Sequence, residues 1–259
     1  MSTLIYLYGH VPADAPEPGL RGVADAPVEL RECGEAAAVV SRVPADDYAA
    51  DAIEARLQDL DWVGEQGLAH ERVVAWLTDR TTVVPARLFT LFSGEEALRA
   101  DCRQRAGWVA AQLARLGGVR EWDLKVAYQA DRLSEHLGEL SPEIAELDRA
   151  IEEAPAGRRY LLQRQRAERA KDVLRDAARA AAAEVLDELK ALARDSRLVS
   201  PPRAAQGAPV VLSAALLLPR EREEEAAARA AAAAGRLEPR GLAVSFTGPW
   251  AAYRFVESE

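Results

Sequence analysis

Glu121-Trp122-Asp123-Leu124-Lys125-Val126-Ala127-Tyr128 decides how the second half of this 259-residue chain folds. Trp122, Leu124, Val126 and Tyr128 alternate with Glu121, Asp123 and Lys125. A period of two is the pattern of a half-buried strand. Just upstream, Gly117-Gly118 ends a helix and marks a domain boundary. Downstream, Ser141-Pro142-Glu143 supplies an N-cap, a first-turn proline and an acid, so a helix runs on to about Glu153. A long helix follows from about Arg158 to Arg194, with Leu162, Ala170, Leu174, Ala181, Val185 and Leu189 on its apolar stripe. Arg197 to Val199 reads as a short strand ending at Pro201-Pro202, and Pro209 to Leu218 as a buried strand. Pro219 to Ala234 reads as a helix, with Glu221 and Glu223 to Glu225 at its positive end and Gly235 after it. Leu242 to Phe246 is the last strand.

The order β-α-β-β-α-β is that of a ferredoxin-like split βαβ unit, with an extra helix inserted after the first strand. The fold class is therefore α+β in two domains: an N-terminal α+β domain over residues 1–117, and a modified ferredoxin-like domain with a long helix over 118–259. The N-terminal half opens with a strand, Leu4 to Tyr8, closed by Gly9. A loop rich in Pro, Asp and Gly leads to strands at Val28 to Glu32 and Ala37 to Val43. Helices are expected at Asp46 to Leu60, Trp62 to Arg80 and Gly94 to Leu116. The stripe of the second is read as Leu68, Val73, Trp76 and Leu77. Thr82 to Phe92 contains Pro85, so it is an edge or interrupted strand. After Phe246 the Gly248-Pro249 break is expected to turn the chain, laying Trp250 and Tyr253 as a C-terminal arm on a neighbouring surface.

Composition excludes several classes. A net charge of -9 argues against a nucleic-acid footprint, which needs a clustered basic face. No stretch approaches the ~20 uncharged apolar residues of a membrane span. The N-terminus has no basic region before its apolar run and reads as a strand, not a signal peptide. Cys33 and Cys102 lie far apart, with no Cys-x-x-Cys and no histidine pair beside them. That spacing points to a reduced, cytoplasmic protein rather than a zinc site or a disulfide scaffold.

Each candidate site competes with a plainer reading. His70-Glu71 lies on a helix, but position 74 is Val74, so the His-Glu-x-x-His zinc pattern fails and an interhelical hydrogen bond is the alternative. His10 and His136 stand alone and receive no role. Arg87 sits in an apolar strand and Lys125 in the middle of another. They are read as an anion site with a carboxylate, or as internal ion pairs with Glu71 or Glu121 as partners. Gly157-Arg158-Arg159-Tyr160-Leu161 opens the long helix, either as a phosphate-binding start or as a turn whose Tyr160 and Leu161 enter the core. Trp250, Tyr253 and Phe255 form a docking patch, an arm packed on its own sheet, or both. No catalytic, cofactor-binding or metal-ligating set follows from spacing alone.

The motifs, taken in order, resemble the gas vesicle GvpF/GvpL family over nearly the whole chain. Tyr6-Leu7-Tyr8-Gly9 is similar to the family's opening strand, His70-Glu71-Arg72-Val73-Val74 to its helix motif, and Val84-Pro85-Ala86-Arg87 to its Pro-x-Arg strand. Glu121 to Val126 is similar to its central strand, Gly157 to Leu161 to its Gly-x-x-Tyr-Leu helix start, and Gly248-Pro249-Trp250 to its C-terminal motif. Two places depart from the pattern. Leu88-Phe89 stands where the family has Phe-Gly, and Ala251-Ala252 where it often has Pro-Pro. The resemblance implies an accessory protein of gas vesicle formation without catalytic residues. It would bind the hydrophobic shell protein and other accessory proteins, or stay as a minor shell component. The expected surface is a groove near Arg87, Lys125 and the Gly157 to Leu161 turn, or an exposed sheet edge. The rival is a small-molecule sensor or enzyme on a ferredoxin-like scaffold, since one fold hosts many functions.

Overall fold

In the computed structural model, residues 2–135, 137–200 and 208–257 are described. His136 and the Pro201-Pro202 turn lie outside them. The chain divides into two units, Met1–Glu121 with Pro249–Glu259, and Trp122–Gly248.

The first unit is built around β1 (Thr3–Pro12), flanked by β2 (Glu29–Cys33) and β3 (Ala36–Pro44). Two short helices follow, α1 (Ala45–Tyr48) and α2 (Ala50–Arg56), where one was expected. Ala49 is extended between them and breaks the run. Helix α3 (Leu60–Arg80) starts at Asp59, whose side chain accepts from the Trp62 amide at 3.1 Å. Its buried face carries His70, Val73, Val74 and Leu77, while Leu68, read as part of the stripe, is exposed. The interrupted strand resolves into two short pieces, β4 (Val84–Pro85) and β5 (Leu91–Phe92), before α4 (Glu95–Leu116).

The sheet order is β2-β3-β1-β4, with β5 also on β1, and every pairing is antiparallel. Both faces of this sheet are covered. Tyr6 and Tyr8 point into a core with Val73, Val74 and Leu77 of α3. Ile5 and Leu7 point to the opposite core, with Leu98 and Cys102 of α4. A strand buried on both faces needs no polar alternation, which is why β1 reads as a continuous apolar run. The alternation slips once. A bulge between Leu7 and Gly9 adds one residue to β1 against β3. After it His10 pairs with Ala38 on the α4 side, while Val11 returns to the α3 side. Gly9 suits that bulge, because a Cβ there would sit 2.6 Å from the Val84 carbonyl oxygen.

The second unit holds most of β6 (Val119–Tyr128), then α5 (Ala130–Ser134), α6 (Leu137–Leu140), α7 (Pro142–Glu153) and α8 (Ala156–Lys190). Next come β7 (Asp195–Leu198), β8 (Val210–Pro219), α9 (Glu223–Leu237) and β9 (Leu242–Trp250). The sheet order is β7-β8-β6-β9. β8 lies between β6 and β7, and β6 lies between β8 and β9. Those two interleaved βαβ units are the ferredoxin-like arrangement that the element order predicts. Leu124 and Val126 of β6 join Leu174, Ala178 and Val185 of α8 in the core. Ser141 caps α7 through the Ile144 amide, as its sequence requires. Arg166 pairs with Asp148, and Arg169 reaches Glu143 at 2.8 Å, tying α7 along α8.

The last strand departs from expectation. It does not stop at Phe246 but continues through Gly248-Pro249 to Trp250. Proline is tolerated because β9 is an edge strand of this sheet. The turn comes after Trp250, followed by a single helical turn over Tyr253–Phe255.

Candidate functional site

A buried polar chain runs through the core of the first unit. The Tyr6 hydroxyl lies 2.8 Å from His70 Nδ1, and His70 Nε2 lies 3.1 Å from the Tyr253 hydroxyl. Tyr253 in turn reaches Glu71 Oε2 at 3.3 Å, and the Phe89 amide donates to Tyr6 at 3.2 Å. One assignment uses each hydroxyl proton once. Phe89 N–H donates to Tyr6, Tyr6 to Nδ1, Nε2–H to Tyr253, and Tyr253 to the Glu71 carboxylate. It requires a neutral imidazole. Burial, the dominant cause, lowers the His70 pKa to about 4. Burial likewise raises Tyr6, Tyr253 and Glu71 above their ordinary values, with Glu71 itself adding to the rise at Tyr253. Both nitrogens of His70 are committed and the residue is 3% exposed, so it is a structural hydrogen-bond relay rather than a free base.

The same segment is held at a second point. Glu121, 1% exposed, accepts from the Arg254 backbone at 3.0 Å and from its guanidinium at 2.7 Å. Phe255 is fully buried, and Trp108 Nε1 donates to the Glu257 carbonyl at 3.2 Å. The C-terminal arm is thus an integral part of this unit. A cavity of about 460 Å³ lies beside it, lined among others by Arg87, Thr90, Arg105, Trp108 and Tyr253.

On the other face of the sheet, Cys33 and Cys102 are joined in a disulfide, with Cα atoms 5.1 Å apart. This corrects the expectation of two unpaired thiols. The pair is 69 residues apart in sequence but joined through β2 and α4, which pack on one another. His10, given no role from sequence, lies beside them. One of its ring nitrogens and the two sulfurs lie within 4.8 Å of one another. Burial first, then the Arg105 charge, lowers the His10 pKa to about 4.

The predicted site residues are divided between the two units, with Arg87, Trp250 and Tyr253 in the first and Lys125, Gly157 and Tyr160 in the second. Arg87 and Tyr253 line one cavity. Arg87 is exposed in the loop after β4, not in a strand, and its carbonyl accepts from Thr90 Oγ1 at 2.7 Å. Lys125 is exposed on β6, so neither cation is buried as an internal ion pair. Gly157 is the second residue of α8, and the chain turns before it at Pro155. Tyr160 and Leu161 are not core residues, being 66% and 65% exposed. Trp250 is 44% exposed.

Residues 4–257 match the family model described as "Gas vesicle synthesis protein GvpL/GvpF". The chain belongs to the GvpL/GvpF family. It is 32% identical over 238 residues to gas vesicle protein L of Streptomyces sp. (strain CB03234), covering 92% of this chain and 86% of that protein. Its fold is similar to that of the gas vesicle protein GvpF from Anabaena sp. PCC7120, with a TM-score of 0.75, 18% identity and full coverage of both chains. GvpF from Microcystis aeruginosa gives a TM-score of 0.70 at 18% identity, over 98% of this chain and 99% of that one. Among the described residues, no helix is long and apolar enough to cross a membrane.

The GvpL/GvpF motifs separate into two groups by exposure. Tyr6 and Tyr8, His70-Glu71, Glu121 and the arm after Trp250 are consumed in the buried network and its core. Gly157 to Leu161 faces outward. The departure at Leu88-Phe89 has a local consequence. Phe89 takes a left-handed φ of 61°, a conformation suited to the glycine of the family pattern. Its ring stacks on Trp62, with centroids 5.5 Å apart and planes 7° from parallel.

Proposed function

We propose that this chain is a gas vesicle accessory protein that binds the hydrophobic shell protein and other accessory proteins during vesicle formation, working in the cytoplasm in association with gas vesicles. Membership of the GvpL/GvpF family supports the setting. The observation that carries the binding role is the exposure of Tyr160 and Leu161 at the start of α8. Large apolar side chains left in water at motif positions are poor for solubility unless a partner covers them. An apolar helix start offers an anchor for an amphipathic helix of the shell subunit. In the second unit Lys125 is a further exposed position for partner contacts, and in the first unit Arg87 and the indole of Trp250 are exposed polar and aromatic positions of the same kind. Binding without chemistry suits a histidine relay that is fully engaged.

Co-expression with the shell protein tests this. The chain captures the shell protein, and Tyr160→Ala/Leu161→Ala, folded by circular dichroism, loses at least about tenfold in affinity, as expected for two anchor residues. Undiminished capture by the double variant would remove α8 from the interface. A second reading rests on the cavity beside Arg87, Arg105 and Tyr253. It is a small-molecule site, supported only if a metabolite raises the melting temperature and Arg87→Ala abolishes the rise.

A further inference from the structure

His10, Cys33 and Cys102 form the one grouping of metal-ligating side chains found together among the described residues. They come from three elements, β1, β2 and α4. All three are buried, at 2%, 2% and 4% exposure. The β1 bulge places His10 on this face. A regular strand would have sent it to the tyrosine core. Among the described residues, His10 Nε2 is buried with no hydrogen-bond partner. Such an orphan is costly, and native structures supply a reason for it. Two sulfurs and one imidazole nitrogen gathered within 4.8 Å of one another supply one.

We propose that the reduced form of this chain binds Zn²⁺ through His10, Cys33 and Cys102, and that the disulfide and the metal are alternative states of one site. Two thiolates and a neutral imidazole around Zn²⁺ make a site of zero net charge, which suits a buried position. Calcium and magnesium, which take oxygen ligands, do not fit this donor set. The three ligands leave one tetrahedral position for water. A cavity of about 550 Å³ lined by Cys33, Cys102, Arg31, Glu95, Arg99 and Arg103 gives access for the ion and that water. Loading begins with a dithiol reductant. It delivers two electrons and two protons to the Cys33–Cys102 bond, becomes a cyclic disulfide, and leaves two thiols. Zn²⁺ then displaces both thiol protons to solvent. The sulfurs separate to about 3.8 Å, the edge set by Zn–S bonds of ~2.3 Å in a tetrahedron.

The test uses the full chain, reduced with a dithiol without oxygen, desalted and titrated with Co²⁺ as a spectroscopic stand-in. The expected result is thiolate-to-cobalt charge-transfer absorption and tetrahedral visible bands. They saturate at one ion per chain and are displaced by Zn²⁺. The oxidised chain shows none. Cys33→Ser and Cys102→Ser lose the bands, and His10→Gln weakens binding about tenfold or more, as loss of one ligand of three should. Circular dichroism checks each variant. If a cysteine variant does not fold, the reduced and oxidised wild-type chains still decide the matter. A folded, reduced chain without the bands overturns the proposal. So do bands that survive Cys33→Ser, or that are equal in the oxidised chain.

Discussion

Strands β1 and β6 are each ten residues long, and they are built on opposite plans. β1 is buried on both faces, with helices over each, and places its tyrosines in a polar relay. β6 alternates, with Leu124 and Val126 in the core and Lys125 in water. In Tyr6, β1 shows that a strand sandwiched between two layers can bury a polar group by tying it into a hydrogen-bonded relay. β6 shows that a half-wet strand separates its roles by parity. The contrast predicts that β6 responds to mutation in alternation, whereas β1 responds at every position.

The largest effect is expected at β6. Leu124→Ala removes a fully buried side chain and should cost about 3 kcal/mol, the transfer and cavity terms together. Lys125→Ala beside it should change stability by less than about 0.5 kcal/mol. Urea unfolding of the two variants tests the parity. Equal losses would show that β6 is not half-exposed.

In β1 the informative change is smaller in volume. Tyr6→Phe keeps the ring and removes the hydroxyl, leaving the Phe89 amide and His70 Nδ1 without their partner. Stranding buried groups costs roughly 1–3 kcal/mol. A loss below about 0.5 kcal/mol in the unfolding free energy would show that the relay contributes nothing net.

The same relay makes the first unit sensitive to acid. The His70 pKa of about 4 lies below its ordinary 6.5, so between these values the unfolded chain binds more protons than the folded one. Stability therefore falls as pH drops through that window. Glu71, raised by burial, acts in the opposite sense just above its ordinary value. From pH 7 to pH 5 the histidine term amounts to roughly 1–2 kcal/mol. His70→Gln should remove about half of that slope in urea titrations at the two pH values, because buried His10, also lowered to about 4, contributes alike. An unchanged slope would place the titration elsewhere.

Much of this is legible in the sequence. The alternation in Glu121 to Tyr128, the Ser141-Pro142 cap and the order of strands and helices carry the ferredoxin-like half, because each is a local signal. The family motifs carried the identity. What was not legible depends on distant register. The Cys33–Cys102 pair arises only when α4 packs on β2, and His10 joins it only through a one-residue bulge. Both are invisible to spacing. Tyr160 and Leu161 look like core in a list of apolar residues, but the first turns of α8 run beyond the sheet's packing stripe, whose buried positions begin at Ala170. Arg87 escapes burial because its strand lasts only two residues.

Phe89 offers the smallest effect and the sharpest test of how β1 is sealed. Its φ of 61° is unfavourable for any residue with a Cβ, by roughly 1–2 kcal/mol. The ring regains part of that by stacking on Trp62, while the backbone amide closes the relay on Tyr6. Replacing the residue with Ala removes the stack and keeps the strain. Replacing it with Gly removes the stack and releases the strain. Elsewhere Gly is the less stable of the two, through the greater freedom of its unfolded chain. Here the order should reverse, with Phe89→Gly melting above Phe89→Ala and the two separated by about 1 kcal/mol. An alanine variant that melts higher would mean that the turn relaxes out of the left-handed region when the ring is lost. The strain would then belong to the phenylalanine's packing and not to the loop that joins β4 to β5.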